Sequence, residues 1–153
     1  MSRTWGAESM ARRNFLIAAS LALGLFASQA QAGNCAMDEY DHNGSLMEMQ
    51  ICGGGGMTIS YSRPRRGLMG VGVRSGTLFF DGVEQAGGVI SGQARIFNRT
   101  CGPIPYAVTG RNHGGSIVLR GDVPALDNGC RVTGYRPEKL LFTLQGAAAA
   151  SGA

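Results

Sequence analysis

"QICGGGGMTISY", residues 50–61, sets four consecutive glycines between two runs in which apolar and polar residues alternate. A glycine run of this kind is either a phosphate-cradling loop or a turn. A phosphate loop presents its amides from the first turn of a helix that follows the glycines, with a Lys-Ser or Lys-Thr pair at its start. No such pair follows here. Instead Met57, Ile59 and Tyr61 alternate with Thr58, Ser60 and Ser62, the period-two pattern of a half-buried strand. On the other side Met47, Met49 and Ile51 alternate with Glu48 and Gln50 in the same way. Glycine supplies the positive φ angles that a hairpin needs. The stretch therefore reads as the turn of a β-hairpin.

The same pattern continues along the chain. "GTLFFDG" (76–82) and "GVISGQARIF" (88–97) flank the turn "VEQAG". "YAVTG" (106–110) and "SIVLRGD" (116–122) flank "RNHGG", and "CRVTGY" (130–135) and "KLLFTL" (139–144) flank "RPE". Together with the first pair these make eight short strands, with no helical periodicity. The 25 glycines follow no collagen period and act as punctuation. An all-β chain of sequential hairpins disposes of its edge strands by closing into a barrel or pairing as a sandwich. The expected fold is a small antiparallel barrel of about eight strands, with a β-sandwich as the alternative. A barrel of that size has room to be filled by side chains or to hold one small ligand.

The two ends have a different character. Residues 1–32 read as an export signal. Arg12-Arg13 precedes an apolar run from Phe15 to Phe26, too short to span a bilayer, and Ala30-Gln31-Ala32 fits the small-x-small cleavage rule. "ARRNFL" is similar to a twin-arginine signal, although Ala11 and Ile17 depart from that pattern, and the general export route fits it at least as well. Residues 145–153, within "QGAAAASGA", offer neither a charged face nor a large apolar group and read as a disordered tail. The single β-domain is expected over 33–144, a length that can bury about two-thirds of its unfolded surface. Without Arg3, Arg12, Arg13 and Glu8 the chain keeps 11 basic and 9 acidic residues, net +2, which calls for no nucleic-acid partner. After the leader no apolar stretch is long enough for a transmembrane helix.

Cys35, Cys52, Cys101 and Cys130 all lie in the β-domain. An even number in a small exported domain implies two disulfides, with three pairings open. The short local loops favour Cys35–Cys52 and Cys101–Cys130. No C-x-x-C occurs, which argues against a zinc site or thioredoxin-like chemistry.

Few residues point to chemistry. "DEYDHNGS" (38–45) echoes the start of a calcium loop, but Gln50 stands where a bidentate Glu is needed, so no metal is expected and the segment reads as an Asn-Gly turn. Asn43 and Asn98 match glycosylation acceptors, which the bacterial character of the leader discounts. His42 beside Asp41 suggests a catalytic pair, yet no nucleophile elbow is present. An enzyme is not expected, and no cofactor. The strongest candidate is "YSRPRRGLMGVGVR" (61–74), where Arg63, Arg65, Arg66 and Arg74 crowd a Pro- and Gly-rich loop after Tyr61. Arginine forks suit phosphate and carboxylate groups, with Tyr61 expected as a flat neighbour.

In "DHNGSLM", "SYSRPRRGL", "GVRSGTLFFDG", "CGPIPYAVTG" and "GCRVTGY" the chain resembles a group of small exported β-domains of Gram-negative bacteria. Similar domains form the C-terminal part of some caspase-like peptidase proteins. The resemblance spans roughly residues 40–144 and implies an extracytoplasmic accessory or recognition domain of otherwise uncharacterised function. It brings no peptidase residues, because the peptidase domain has no counterpart in this sequence. It also implies a Cys101–Cys130 bridge, with Cys35 and Cys52 as an addition. The expected protein is a periplasmic or secreted binding module recognising an envelope protein or an anionic envelope component. A small-ligand carrier barrel and a periplasmic hydrolase inhibitor are the alternatives.

Overall fold

The computed structural model describes residues 34–147. The expected export signal and the last part of the expected tail lie outside the described residues. Eight strands follow one another: β1 Ala36–His42, β2 Ser45–Ile51, β3 Gly56–Arg63, β4 Leu78–Gln85, β5 Val89–Asn98, β6 Gly102–Asn112, β7 Ser116–Leu126 and β8 Val132–Ala147. Each pairs antiparallel with the next, and β8 returns to pair with β1, so the sheet is a closed barrel in sequence order. It is not a sandwich.

The glycine run is a turn. β2 ends at Ile51, opposite Met57 of β3, and the Cys52 and Gly55 amides donate to Gly56 and Cys52 carbonyls to close the loop. Gly54 and Gly55 have φ of 90° and 85°. Asn43 and Gly44, at φ 51° and 79°, form the two-residue turn between β1 and β2. That left-handed pair matches the twist of the flanking strands.

The expected number of strands agrees with the structure, but two assignments differ and cancel. The sequence reads as a turn over β1 because the strand's inward residues are Tyr40 and His42, whose polar groups blur the period-two signal. The sequence reads as two strands flanking "RPE" where β8 is one strand of 16 residues, running to Ala147 and so past the expected boundary at 144. Its proline is tolerated because β1 covers only Thr143–Ala147, leaving the earlier part of β8 as an edge.

The interior is apolar and filled. Met47, Met49, Met57, Ile59, Phe80, Ile90, Ile117, Leu119 and Phe142 are all essentially inaccessible. The alternate positions on β2 and β3 are Glu48, Gln50, Thr58, Ser60 and Ser62, which are only partly buried. This is the reverse of a membrane barrel, whose outer band is apolar. The Phe80 ring lies along the sheet over Gly82 and Gly92, cross-strand partners on β4 and β5 that leave space for it. A Cβ at Gly82 or Gly92 would stand 2.6 or 2.7 Å from the tip of the Phe80 ring.

Gly92→Ala should therefore destabilise the barrel by about 1–3 kcal/mol through overpacking. Gly53→Ala, where no atom lies within 4 Å of the new carbon, should be close to neutral. Urea denaturation midpoints of the two variants check this. Equal midpoints would mean that the β4 backbone at Asp81–Gly82 and the Phe80 ring both give way without cost.

Candidate functional site

The chain between β3 and β4 forms the end of the barrel as much as a loop. Val73 is fully buried, and Leu68 and Val71 of the short 3-10 helix Leu68–Val71 pack against the core. The loop is pinned at its base by Tyr61 N–H to the Thr77 carbonyl (3.0 Å) and Gly76 N–H to the Tyr61 carbonyl (2.7 Å). The Arg65 amide donates to the buried Ser45 hydroxyl at 3.0 Å. Arg99, from the β5–β6 turn, donates to the Gly70 carbonyl at 3.1 Å. Apolar residues drive the loop into the barrel mouth, and polar contacts from β2 and β5–β6 hold it there.

This arrangement separates the five expected binding residues. Tyr61 is in the core, edge-on to Phe79 and Phe97 at ring distances of 5.8 and 5.9 Å. Burial pushes its hydroxyl pKa up to about 12. It is no flat surface neighbour, because the strand alternation that places Ile59 inside also places Tyr61 inside. Arg74 is a clasp: its Nη1 donates to the Met69 and Val73 carbonyls, both at 2.8 Å, and steadies the 3-10 helix. Arg63, Arg65 and Arg66 are exposed, and their side chains form no ion pair or hydrogen bond among the described residues. Met69, 61% exposed, lies on the same loop.

His42 is structural. Its ring stacks on Phe142 at 4.6 Å and tilts against Phe79 at 5.4 Å. Nδ1 lies 2.8 Å from the Leu141 carbonyl and so carries the proton, which leaves Nε2 to accept from the Asn43 amide at 3.4 Å. Asp41 is the next residue on the strand and points to the opposite face, so the two do not form a catalytic pair. Among the described residues no group of three or more His, Cys, Asp or Glu could hold a metal ion, and no helix is long and apolar enough to cross a membrane.

A second surface had no signal in the loop arginines. The β6–β7 ladder ends at Val108 opposite Gly121. Beyond it, Asp122–Leu126 of β7 and the start of β8 continue as a two-stranded arm. Four prolines, Pro103, Pro105, Pro124 and Pro137, lie on the separating segments. Proline lacks the N–H that a ladder needs, so these positions favour separation. The Cys101–Cys130 disulfide ties the tip of the arm to the β5–β6 turn, while Cys35–Cys52 ties the entry of β1 to the β2–β3 turn. Both pairings are the ones favoured by the short loops, and two bridges in so small a barrel are consistent with export. In the arm's turn, Asp127 accepts from the Arg131 amide (2.9 Å), the Arg131 side chain (2.9 Å) and the Gly129 amide (2.8 Å), contacts that hold its carboxyl below the usual range. Between β6 and the arm is a groove of about 860 Å³ lined by Pro105, Ala107, Pro124, Val132, Tyr135 and Lys139, among others. Tyr106 spans its floor, its hydroxyl donating to Glu138 Oε2 at 3.1 Å; burial, and then the adjacent Glu138 carboxylate, raise its pKa.

The fold and its two staples define a small disulfide-bonded, closed eight-stranded β-barrel with a cationic end and a grooved outer face. Comparison with protein-family models, curated proteins and solved structures finds no match.

Burial is the largest cause acting on His42, and it lowers the pKa below the ordinary value. The folded state therefore binds this proton less readily than the unfolded state. Its stabilising contribution is complete above about pH 6.5 and is lost as pH falls from there through the folded pKa. Thermal unfolding from pH 7.5 down to 4.5 should show a falling Tm, and His42→Phe should flatten the slope just below about 6.5. An unchanged slope would place the acid sensitivity elsewhere. Separately, Cys101→Ser with Cys130→Ser should cost on the order of 3 kcal/mol. It should also expose the arm, read as new proteolytic cleavage within 122–137, and cleavage only elsewhere would show that the arm holds itself.

Proposed function

We propose that the protein is an exported binding module that recognises an anionic group on an envelope protein or envelope component through the β3–β4 loop. The observation that carries this reading is the state of Arg63, Arg65 and Arg66. Three guanidinium groups within four positions are exposed and lack partners among the described residues, on a loop whose backbone is anchored into the barrel. Anchoring matters because a rigid platform loses little entropy on binding. Guanidinium forks match carboxylate and phosphate oxygens two at a time. Arg99 adds charge at the same end, its side chain already held against Gly70. The resemblance to exported accessory β-domains supports the same reading.

The packing of the interior favours surface recognition over a carrier role. Phe80, Phe142 and the three buried methionines occupy the space that a small ligand would need. Loop contacts remain available, and cationic loops also speed encounter with anionic partners.

The test is a pull-down from whole envelope extract with the oxidised protein as bait, compared with the variant carrying Arg63→Ala, Arg65→Ala and Arg66→Ala. A retained partner should be lost from the variant and weakened by salt. Equal retention by the variant would remove the loop from the binding surface. Each arginine removed is expected to weaken the complex by about 1–3 kcal/mol if its contact is charge-assisted.

A further inference from the structure

On the outer face of β6–β8, two positive charges stand side by side. Arg120 of β7 is the direct cross-strand partner of Lys139 of β8, and Thr109 of β6 lies on the other side of Arg120. Like charges directly opposite on a sheet are destabilising, so the fold gains nothing from this pair. Neither side chain forms an ion pair or hydrogen bond among the described residues. The neighbouring Glu138 is already occupied by Tyr106 and Arg136. Arg120 and Lys139 also belong to both recesses on this face. One is the large groove, and the other, of about 400 Å³, is lined by Arg111, His113 and Val118 as well.

Apolar side chains flank the pair on both sides along β8. Leu141, 47% exposed, is opposite Val118 two residues toward one end, and Tyr135, 70% exposed, is opposite Pro124 four residues toward the other. Val132, 49% exposed, extends this side to the arm's tip. Exposed apolar surface bordered by polar groups marks interaction sites. On an extended chain, alternate side chains on one face are roughly 7 Å apart. The surface thus presents an apolar position one such interval from the basic pair on one side and two intervals from it on the other, both within reach of one extended peptide.

We propose that this face binds an extended peptide segment of a partner protein, with an acidic side chain on Arg120 and Lys139 and apolar side chains over Leu141 and Tyr135. Charge complementarity selects the acidic centre. The apolar flanks favour a peptide over a glycan, which would call for more hydrogen-bonding side chains than Thr109, Asp122 and Glu138. Pro103, Pro105, Pro124 and Pro137 deny the ligand a continuous backbone ladder. Recognition therefore rests on side chains lying on the face and not on strand insertion. The Cys101–Cys130 bridge ties the arm's tip, at one end of the groove, to the β5–β6 turn. This site is separate from the β3–β4 loop and does not rest on it.

The experiment is selection of a random peptide library displayed on phage against the oxidised protein, followed by calorimetry with the best synthetic peptide. Selected sequences should carry Asp or Glu with an apolar or aromatic residue two positions to one side and another four positions to the other. Arg120→Ala with Lys139→Ala should weaken that peptide at least about tenfold. The Arg63, Arg65 and Arg66 triple alanine variant should bind it unchanged, which separates this site from the loop. Both variants change only exposed side chains, and circular dichroism confirms their fold. No enrichment, enrichment without an acidic centre, or full binding by the Arg120 and Lys139 variant would each overturn the proposal. Vesicles of phosphatidylglycerol and phosphatidylethanolamine serve as the second probe. Vesicle binding that the same double variant abolishes, without peptide enrichment, would assign the face to lipid headgroups and also overturn it.

Discussion

The seam between β1 and β8 is the constraint on which the rest of this structure depends. Only Asp38–Asp41 and Thr143–Ala147 join there, across a register shift at Glu39 and Tyr40. Without that pairing the sheet would present two long edges and no enclosed interior. Once it forms, alternate residues of all eight strands face one another. The buried Met47, Met49, Phe80 and Phe142 then replace water with close contacts. His42 extends the seam by one contact, taking the Leu141 carbonyl where the backbone ladder stops. A polar ring inside an aromatic cluster is thus explained by the end of a ladder.

Closure also determines where recognition can occur. A filled barrel offers its ends and its outside. One end is covered by the β3–β4 loop, whose Leu68, Val71 and Val73 face inward and whose Arg63, Arg65 and Arg66 face outward, because the same short segment must do both. The outside is smooth where strands pair fully and opens where prolines interrupt the pairing of β6 with β7. The disulfide at the arm's tip ties the far side of that opening to the β5–β6 turn. The protein carries two cationic surfaces with different neighbours: guanidinium groups on a loop at the end, and a basic pair between apolar side chains on the face.

Much of the fold was legible because strand alternation and glycine turns are local signals. Met57, Ile59 and Tyr61 announce one face, and the Asn43-Gly44 and Gly54-Gly55 turns announce the reversals. β1 was obscured because its buried positions are Tyr40 and His42. β8 was divided because its proline lies on an edge that only the barrel's geometry makes harmless. The candidate site was legible in part. Clustering of Arg63, Arg65 and Arg66 can be seen in one dimension, whereas the adjacency of Arg120 and Lys139 cannot, since nineteen positions separate them in the chain. The pair would have been visible only by folding "SIVLRGD" onto "RPEKLLF" in the correct register.

The sequence by itself determined the all-β class, the hairpin order and most of the inward-facing residues, and its cysteine spacing pointed to the right disulfides. These follow from period-two burial, glycine backbone freedom and short loop closure, which act over a few residues. Tertiary structure alone decided that Arg74 clasps a backbone turn, that the His42 ring closes the β1–β8 seam, and that a groove opens beside β6. Each of those depends on which strand lies next to which and where a ladder ends. Those facts come into being only when β8 meets β1 and the sheet closes.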